Sequence, residues 1–442
     1  MKYMAQEDGA RALKGAGDLS SLSGKKVLVL GATGMVGSVL SYALAEAGAF
    51  VTAAGRDAKL LDERLCGDRI KTMEIFDVTN PVIIRQAMTS DAFDFIVDCA
   101  APADPETAFE EPVEVLRDNF FGLDNVLAVL AEDVKAAERR GKKPETPAVL
   151  YISSNAVYGE DEEGAACEKC SGTVDFTCPF GAYGVAKGAS EALAAAYSRQ
   201  FGLDVRVARP GIVYGPEFIP GDSRPFAKIL SSAAAGKDIC IPEGIGNVLT
   251  DVTYISDFVG GLLAILARGE KGCYNVSNSE AEVELSTVLK GVAKEAGVEI
   301  KEGCCRPKCS DGTCCGGSAP KCDDGTCCGG GSGECCGSTK VDGKCACGCG
   351  GDPCTCGQND KACSDGTCCG GSAPKCDDGT CCGGGSGECC GKEEECCTKG
   401  EGEAHKLPRL TRLNSGKLEQ LGWEPKVGPE DGIILSLKAL RD

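Results

Sequence analysis

Short, nearly wholly apolar runs recur along the first 300 residues, each closed by glycine, serine or an acidic residue and followed by a helix-like stretch. Val27-Leu28-Val29-Leu30 predicts a first strand, and Ser38 to Ala47 predicts a helix behind it. Further strands are expected at Phe50–Ala54, Thr72–Phe76, Phe93–Cys99 and Ala148–Ser153, with a helix over Val113–Ala131. The fourth run is apolar at almost every position, as a parallel strand covered on both faces requires. Residues 1–22 read as a short helix ending near Gly15-Ala16-Gly17 and then a linker, either an arm that packs on a partner subunit or, the plainer expectation, a solvated helix.

Between the first strand and helix stands Gly31-Ala32-Thr33-Gly34-Met35-Val36-Gly37. In a strand–turn–helix setting, Gly31 permits the tight turn, Gly34 lets backbone approach a pyrophosphate and Gly37 lets helix pack on strand. The helix N-terminus then offers free N–H groups and partial positive charge to the phosphates. The second strand ends at Gly55-Arg56, where an acidic residue would hold the ribose of NAD. Arg56 can instead pair with a 2′-phosphate, which leans towards NADP; the plain alternative is that it lies over the adenine. Asp77 after the third strand can meet the adenine amine, and Ala100-Ala101-Pro102 after the fourth leaves room for ribose or nicotinamide. The fifth strand closes with Ser153-Ser154-Asn155-Ala156-Val157-Tyr158-Gly159, and Tyr183-Gly184-Val185-Ala186-Lys187 follows. Tyr183 and Lys187, four apart, share a helical face. The ammonium is expected to lower the phenol's pKa, so that Tyr183 exchanges a proton with a sugar hydroxyl while Ser154 holds the same oxygen.

These pieces resemble the NAD-dependent epimerase/dehydratase family, extended short-chain dehydrogenases/reductases acting on nucleotide sugars. The matching stretches are GATGMVG (31–37), NFFG (119–122), SSNAVYG (153–159), YGVAK (183–187), RPGIVYGP (209–216), DVTYISD (251–257), GCYNV (272–276) and LGWEPK (421–426), in the family's order. The resemblance implies an α/β fold, a doubly wound parallel Rossmann sheet with a smaller C-terminal substrate domain. Its expected organisation is an N-terminal extension (1–22), an NAD(P)-binding domain (23–209), a substrate domain (210–302, with 251–277 returning to the sheet), an insert (303–404) and the end of the substrate domain (405–442). It also implies a homodimer. Carried over by position, Ser154, Tyr183 and Lys187 are catalytic, and Met35, Val36, Arg56, Asp77, Val78, Ala100, Ala101 and Asn119 line the cofactor beside Gly31, Gly34, Gly37, Tyr183 and Lys187. Dehydratases and uronate decarboxylases of the family resemble the pattern Thr/Ser followed by acidic residues. Here Asn155 and Ala156 follow Ser154, which points to epimerisation or simple oxidation and reduction. Two substrate-side positions also depart, with Thr250 in place of the family's Arg and Ile212 in place of its Asn. Arg224, Arg409 or Arg412 can supply a phosphate contact instead, or be plain surface arginines. A nucleotide-sugar epimerase or oxidoreductase is the primary expectation. The alternative is a dinucleotide-binding scaffold whose cysteine-rich arm senses metal or redox state.

Composition changes this picture in two places. A net charge of −20 over 442 residues argues against nucleic acid and anionic membrane surfaces as partners. With no apolar run of ~18 residues and an N-terminus unlike a signal peptide, a cytoplasmic protein is expected. Of 32 cysteines, 25 lie between Cys304 and Cys397; the others are Cys66, Cys99, Cys167, Cys170, Cys178, Cys240 and Cys273. Residues 309–337 recur letter for letter at 363–391, with CACGCGGDPCTCG (345–357) between. This stretch lacks the aliphatic residues for a core and must be held by its sulfurs or remain unstructured. Thiolate binding of Zn or Cu suits its spacing, through Cys309, Cys314, Cys315, Cys322, Cys327, Cys328, Cys345, Cys347, Cys349, Cys354, Cys356, Cys363, Cys368, Cys369, Cys376, Cys381 and Cys382. A disulfide knot and a low-complexity segment without fixed structure are the alternatives. His405, the only histidine, is either a further ligand or a surface residue.

Overall fold

The computed structural model describes residues 2–441 apart from 76, 101–102, 104, 160–164, 175, 177–180, 219–221, 223, 242–248, 279–281 and 303–411. The insert, Cys178, Ala101, His405 and Arg409 lie outside the described residues.

In chain order the elements begin with α1 (Lys2–Ala12), β1 (Lys26–Leu30), α2 (Met35–Glu46), β2 (Phe50–Gly55), α3 (Ala58–Arg64), β3 (Ile70–Glu74), α4 (Pro81–Met88) and β4 (Phe95–Asp98). They continue with α5 (Pro105–Glu110), α6 (Pro112–Arg139), β5 (Ala148–Ile152), α7 (Gly181–Phe201), β6 (Val205–Pro210), β7 (Ile212–Tyr214), α8 (Pro225–Ala234), β8 (Ile239–Ile241) and β9 (Leu249–Tyr254). Last come α9 (Ile255–Arg268), β10 (Gly272–Val276), β11 (Glu282–Glu284), α10 (Leu285–Ala296), β12 (Ile300–Glu302), α11 (Gly416–Glu419) and α12 (Pro429–Arg441).

Seven strands form one sheet in the order β10-β6-β5-β4-β1-β2-β3, every described pairing parallel. The chain runs outward through β2 and β3 on one side of β1 and through β4, β5, β6 and β10 on the other. The reversal falls between β1 and β4, where Val27 pairs with Phe95. Open α/β sheets bind ligands beyond the strand ends at such a switch point. One face buries Leu28, Leu30, Ile96, Val149 and Val205 against Ile84 of α4, Leu123, Leu127 and Leu130 of α6, and Ala194 of α7. The other face is covered by α2 and α9, which pack on each other and carry the fully buried Val39, Leu40, Phe258 and Leu262. The doubly wound sheet is therefore as expected, with β3 starting and ending two residues earlier than the apolar pattern indicated.

A three-stranded sheet, β11-β9-β7, follows the main one. β10 returns to the large sheet beside β6, while β9 belongs to the small sheet. Residues Cys240–Glu243 and Lys301–Leu407 separate from the rest as a second unit, little of which is described.

The plainer expectation for residues 1–22, a solvated helix, is overturned. α1 packs on α2 and α9 of its own chain and buries Ala5, Asp8 and Ala12. Gly9 permits the approach, since a Cβ there would lie 2.8 Å from the Tyr42 Cβ. The following segment is clamped by Arg268, whose guanidinium donates to the carbonyls of Ala16 and Asp18. Its helical pattern is short and contains glycine, so the sequence gives no amphipathic stripe strong enough to announce a docked face.

Candidate active site

The glycine turn forms as the residue types require. Gly31 adopts φ +74°, and a Cβ there would lie 2.6 Å from the Cys99 carbonyl at the end of β4. A Cβ on Gly37 would meet the Gly31 carbonyl at 2.4 Å, so helix α2 lies directly on the turn. Gly34 caps α2 without a side-chain hydrogen bond. The first turn, carrying Met35 and Val36, thus presents backbone N–H groups that no capping side chain occupies. A dinucleotide pyrophosphate fits this cradle: it needs donors without side-chain bulk, at a helix N-terminus.

Residues expected around the rest of a dinucleotide take mixed positions. Arg56 is exposed just past β2, and its charge reaches Asp118 of α6. Asp77 is already engaged, its Oδ1 accepting from the Thr79 N–H at 2.7 Å and the Thr79 hydroxyl at 2.6 Å. Val78 packs against the core, and its carbonyl accepts from Asn125 at 3.0 Å. Ala100 N–H donates to Asp98 Oδ1 at 3.0 Å, which fixes the bend after β4. Asn119 is buried in α6, with its Nδ2 donating to the Val115 carbonyl at 2.8 Å.

Strand β5 and helix α7 bring the three proposed catalytic residues together. Ser154 caps a 3-10 turn, Asn155–Tyr158, by accepting from the Ala156 N–H at 3.1 Å. It also hydrogen-bonds Tyr183. Lys187 is buried, its Nζ donating to the Ile152 carbonyl at 2.7 Å and lying 4.7 Å from the Tyr151 ring and 5.7 Å from the Tyr183 ring. Burial pushes the Lys187 ammonium down to about 8, against the pull of Asp98 and other acidic groups.

The expected lowering of the Tyr183 pKa by Lys187 is not what the structure gives. Burial pushes the phenol up to about 12, and the opposing influences are the Ser154 hydrogen bond and the charge of Arg224. The physical reason is burial, which outweighs both, while the Lys187 ammonium is committed to the Ile152 carbonyl. Arg224 is not a plain surface residue. It is half-buried at the start of α8, held by both oxygens of Asp222 at 2.5–3.0 Å. It also lines a small pocket with Met35, Gly215 and Phe218. Thr250 is buried in β9 and Ile212 is half-buried in β7. Arg412 offers its carbonyl to the Ala166 N–H at 2.8 Å.

A second layer escaped the sequence reading. Glu191, one helical turn beyond Lys187, accepts from the Ser153 hydroxyl at 2.5 Å and pairs with Arg209 at 2.5 Å. Arg209 also donates to the Tyr158 hydroxyl at 2.6 Å, which donates to Asn275 at 2.8 Å. The usable signals were the i+4 spacing of Glu191 from Lys187 and the arginine opening RPGIVYGP. The network fixes the Ser153-Ser154 strand end from behind.

Two comparisons with known sequences bear on this geometry. The model of the NAD dependent epimerase/dehydratase family matches residues 27–277, more than half the chain. The chain belongs to that family. It is 28% identical over 286 residues to UDP-glucuronic acid decarboxylase 1 of Xenopus tropicalis, covering 63% of each chain. It is 30% identical over 261 residues to UDP-glucuronate 4-epimerase 5 of Arabidopsis thaliana, covering 57% of this chain and 56% of that one. The chain thus spans less than two thirds of the length of these curated relatives. In structure it is similar to UDP-glucose 4-epimerase of Thermotoga maritima, with TM-score 0.61 and 18% identity over 94% of this chain and 98% of that one. The Thermus thermophilus UDP-glucose 4-epimerase in complex with NAD gives TM-score 0.61 and 19% identity over 94% and 99%. These likenesses establish the fold. Among the described residues, no helix is long and apolar enough to cross a membrane.

Proposed function

We propose that the protein is an NAD(P)-dependent nucleotide-sugar epimerase working by transient oxidation of a sugar hydroxyl. The observation that carries this reading is the junction of Ser154, Tyr183 and Lys187 beside the uncapped glycine turn. When bound, the nicotinamide supplies a reversible two-electron acceptor. Tyr183 takes the hydroxyl proton at its phenol oxygen, Ser154 orients that oxygen, and Lys187 holds positive charge beneath it. Arg224, whose charge already favours the Tyr183 phenolate, assists from the substrate side. Asn155 and Ala156 carry no exchangeable acid–base proton, which supports epimerisation over decarboxylation.

Decarboxylation stands as the second reading because several of the matching curated relatives carry that name. Incubation with UDP-glucuronate and either NAD or NADP separates the two. Epimerisation leaves product mass unchanged, whereas decarboxylation lowers it by one CO2. Cofactor binding without turnover on any nucleotide sugar would favour the scaffold reading instead. The homodimer belongs to the same proposal and is supported by exposed apolar residues along α6, Val113, Leu116 and Phe121. The soft-metal role of the insert does too, on the strength of its thiol density alone.

A further inference from the structure

Seven cysteines lie outside the insert, and two of them stand apart from the rest. Cys167-Glu168-Lys169-Cys170 forms a hydrogen-bonded turn, the Cys170 N–H donating to the Cys167 carbonyl at 2.9 Å. Both residues carry thiols, and their sulfurs are 2.7 Å apart. The Cys167 N–H also points at the Cys170 sulfur at 3.0 Å. Such a turn brings its end Cα atoms within ~7 Å, overlapping the ~4.4–6.8 Å that a disulfide requires. Closing the bond, at ~2.05 Å, takes less than 1 Å of sulfur movement.

The turn is held from both sides. Ala166 is buried against Tyr158 and Leu413 and forms a bridge with Leu413. Glu168 accepts from the Asn275 N–H at 3.0 Å through its carboxylate and from Arg209 at 3.3 Å through its carbonyl. The backbone of the turn is therefore positioned by contacts of Ala166 and Glu168. Cys170 is exposed and Cys167 half-exposed, so small molecules reach the pair. We propose that Cys167 and Cys170 form a redox-active dithiol whose substrates are low-molecular-weight or protein disulfides.

The chemistry balances without a cofactor. The Cys167 thiolate attacks one sulfur of an external disulfide, whose S–S bond breaks and whose other half leaves as a thiolate and is protonated. Cys170 loses its proton to solvent and attacks Cys167 in the mixed disulfide, releasing the second half as a thiol. Two cysteines are oxidised and one disulfide is reduced. Hydrogen bonds from Cys170 and from the backbone hold the Cys167 thiol below its ordinary pKa, as attack requires. Burial does the opposite for Cys273, which is pushed up to about 11, and it raises Cys99 as well. Among the described residues, no group of three metal-ligating side chains includes the pair.

The test uses the full chain and reads peptides, so the insert's thiols do not confuse it. Reduced protein is exposed to glutathione disulfide, acid-quenched, alkylated and digested with trypsin, which cuts after Lys169. Two peptides joined through Cys167 and Cys170, released by reductant, are the expected result. In Cys170→Ser, Cys167 should accumulate as a stable glutathione mixed disulfide. In Cys167→Ser, capture at Cys170 should be about tenfold slower at pH 7. The proposal is overturned if both residues alkylate like Cys273 after oxidation. It is also overturned if Cys167 pairs only with insert cysteines, or if the pair becomes reactive only after chelation of a bound metal.

Discussion

The guanidinium of Arg64 donates to the backbone carbonyl of Glu217 at 2.7 Å, while among the described residues neither carboxylate oxygen of Glu217 accepts a hydrogen bond from another residue. Glu217 follows the RPGIVYGP stretch and is fully buried, as Arg64 nearly is. Burial pushes its carboxyl up to about 7 from an ordinary 4.5, against the charges of Arg64 and Arg11. In the folded protein the group therefore keeps its proton where the unfolded chain has lost it. The folded state binds more protons between pH 4.5 and 7, so stability falls as pH rises through that window and levels off above it. Glu217→Gln removes the titration. The variant should gain up to about 3 kcal/mol over wild type between pH 4.5 and 8. Urea denaturation of both proteins across that range reads the difference, and parallel curves would show that Glu217 is not buried as a neutral acid.

The docking of α1 gives a prediction whose sign separates two pictures. On a solvated helix, Gly9→Ala would stabilise by about 1 kcal/mol through helix propensity. On the docked helix, the new methyl would lie 2.8 Å from the Tyr42 Cβ and push α1 off α2. A loss of about 1–3 kcal/mol is expected from such overpacking. The shift in denaturation midpoint at constant slope measures it.

The sheet was legible because its strands are short apolar runs with turn residues at each end, and the glycine turn because each glycine has a separate steric reason. Ser154, Tyr183 and Lys187 were legible from spacing along one helix and one strand end. Positions decided by distant partners were not. Asp8 is buried because Tyr254, 246 residues away, donates to it at 2.9 Å. Asp77 Oδ1 is shared with the N–H and hydroxyl of Thr79, a local turn that the apolar pattern does not announce. The direction of the Tyr183 shift is set by the burial of its phenol, which four-residue spacing does not specify.

The catalytic assignment predicts that Tyr183→Phe retains dinucleotide affinity and loses about 10²–10⁴-fold in turnover, the usual worth of a positioned acid–base group. Near wild-type turnover would dismiss Tyr183 as the proton acceptor. Because burial holds the phenol near 12, wild-type kcat should still rise with pH above 8 unless bound cofactor and substrate lower it. A pH–rate profile with a plateau starting near neutrality would report that lowering directly.

Cofactor choice turns on Arg56. With no acidic residue at the end of β2, NADP should bind more tightly than NAD, and Arg56→Ala should remove the difference while leaving NAD affinity within a few-fold. The charge of Asp118, which Arg56 partly offsets, works against this preference. Asp118→Asn should therefore widen it. Calorimetric titration of both dinucleotides against the three proteins decides the matter, and a clear NAD preference in wild type would refute the Arg56 reading.

The insert carries 25 thiols within 94 residues, set among Gly and Asp-Gly pairs suited to tight turns. Its aspartates are hard oxygen donors, whereas clustered thiolates select soft ions such as Zn²⁺ or Cu⁺. Four thiolates per ion would accommodate roughly six ions. Metal must displace thiol protons, so loading should release acid and fail as pH falls. Nothing else in this composition offsets the chain entropy of ordering it. Loop closure cost grows only with the logarithm of length, so replacing 303–404 by a short linker should leave cooperative melting and dinucleotide binding intact. Elemental analysis of anaerobically purified protein is expected to give several Zn or Cu per full chain and none in the deletion variant. The insert cysteines should alkylate only after chelation and denaturation. Less than one metal per chain, with those cysteines reacting freely as isolated, would leave the low-complexity reading in place.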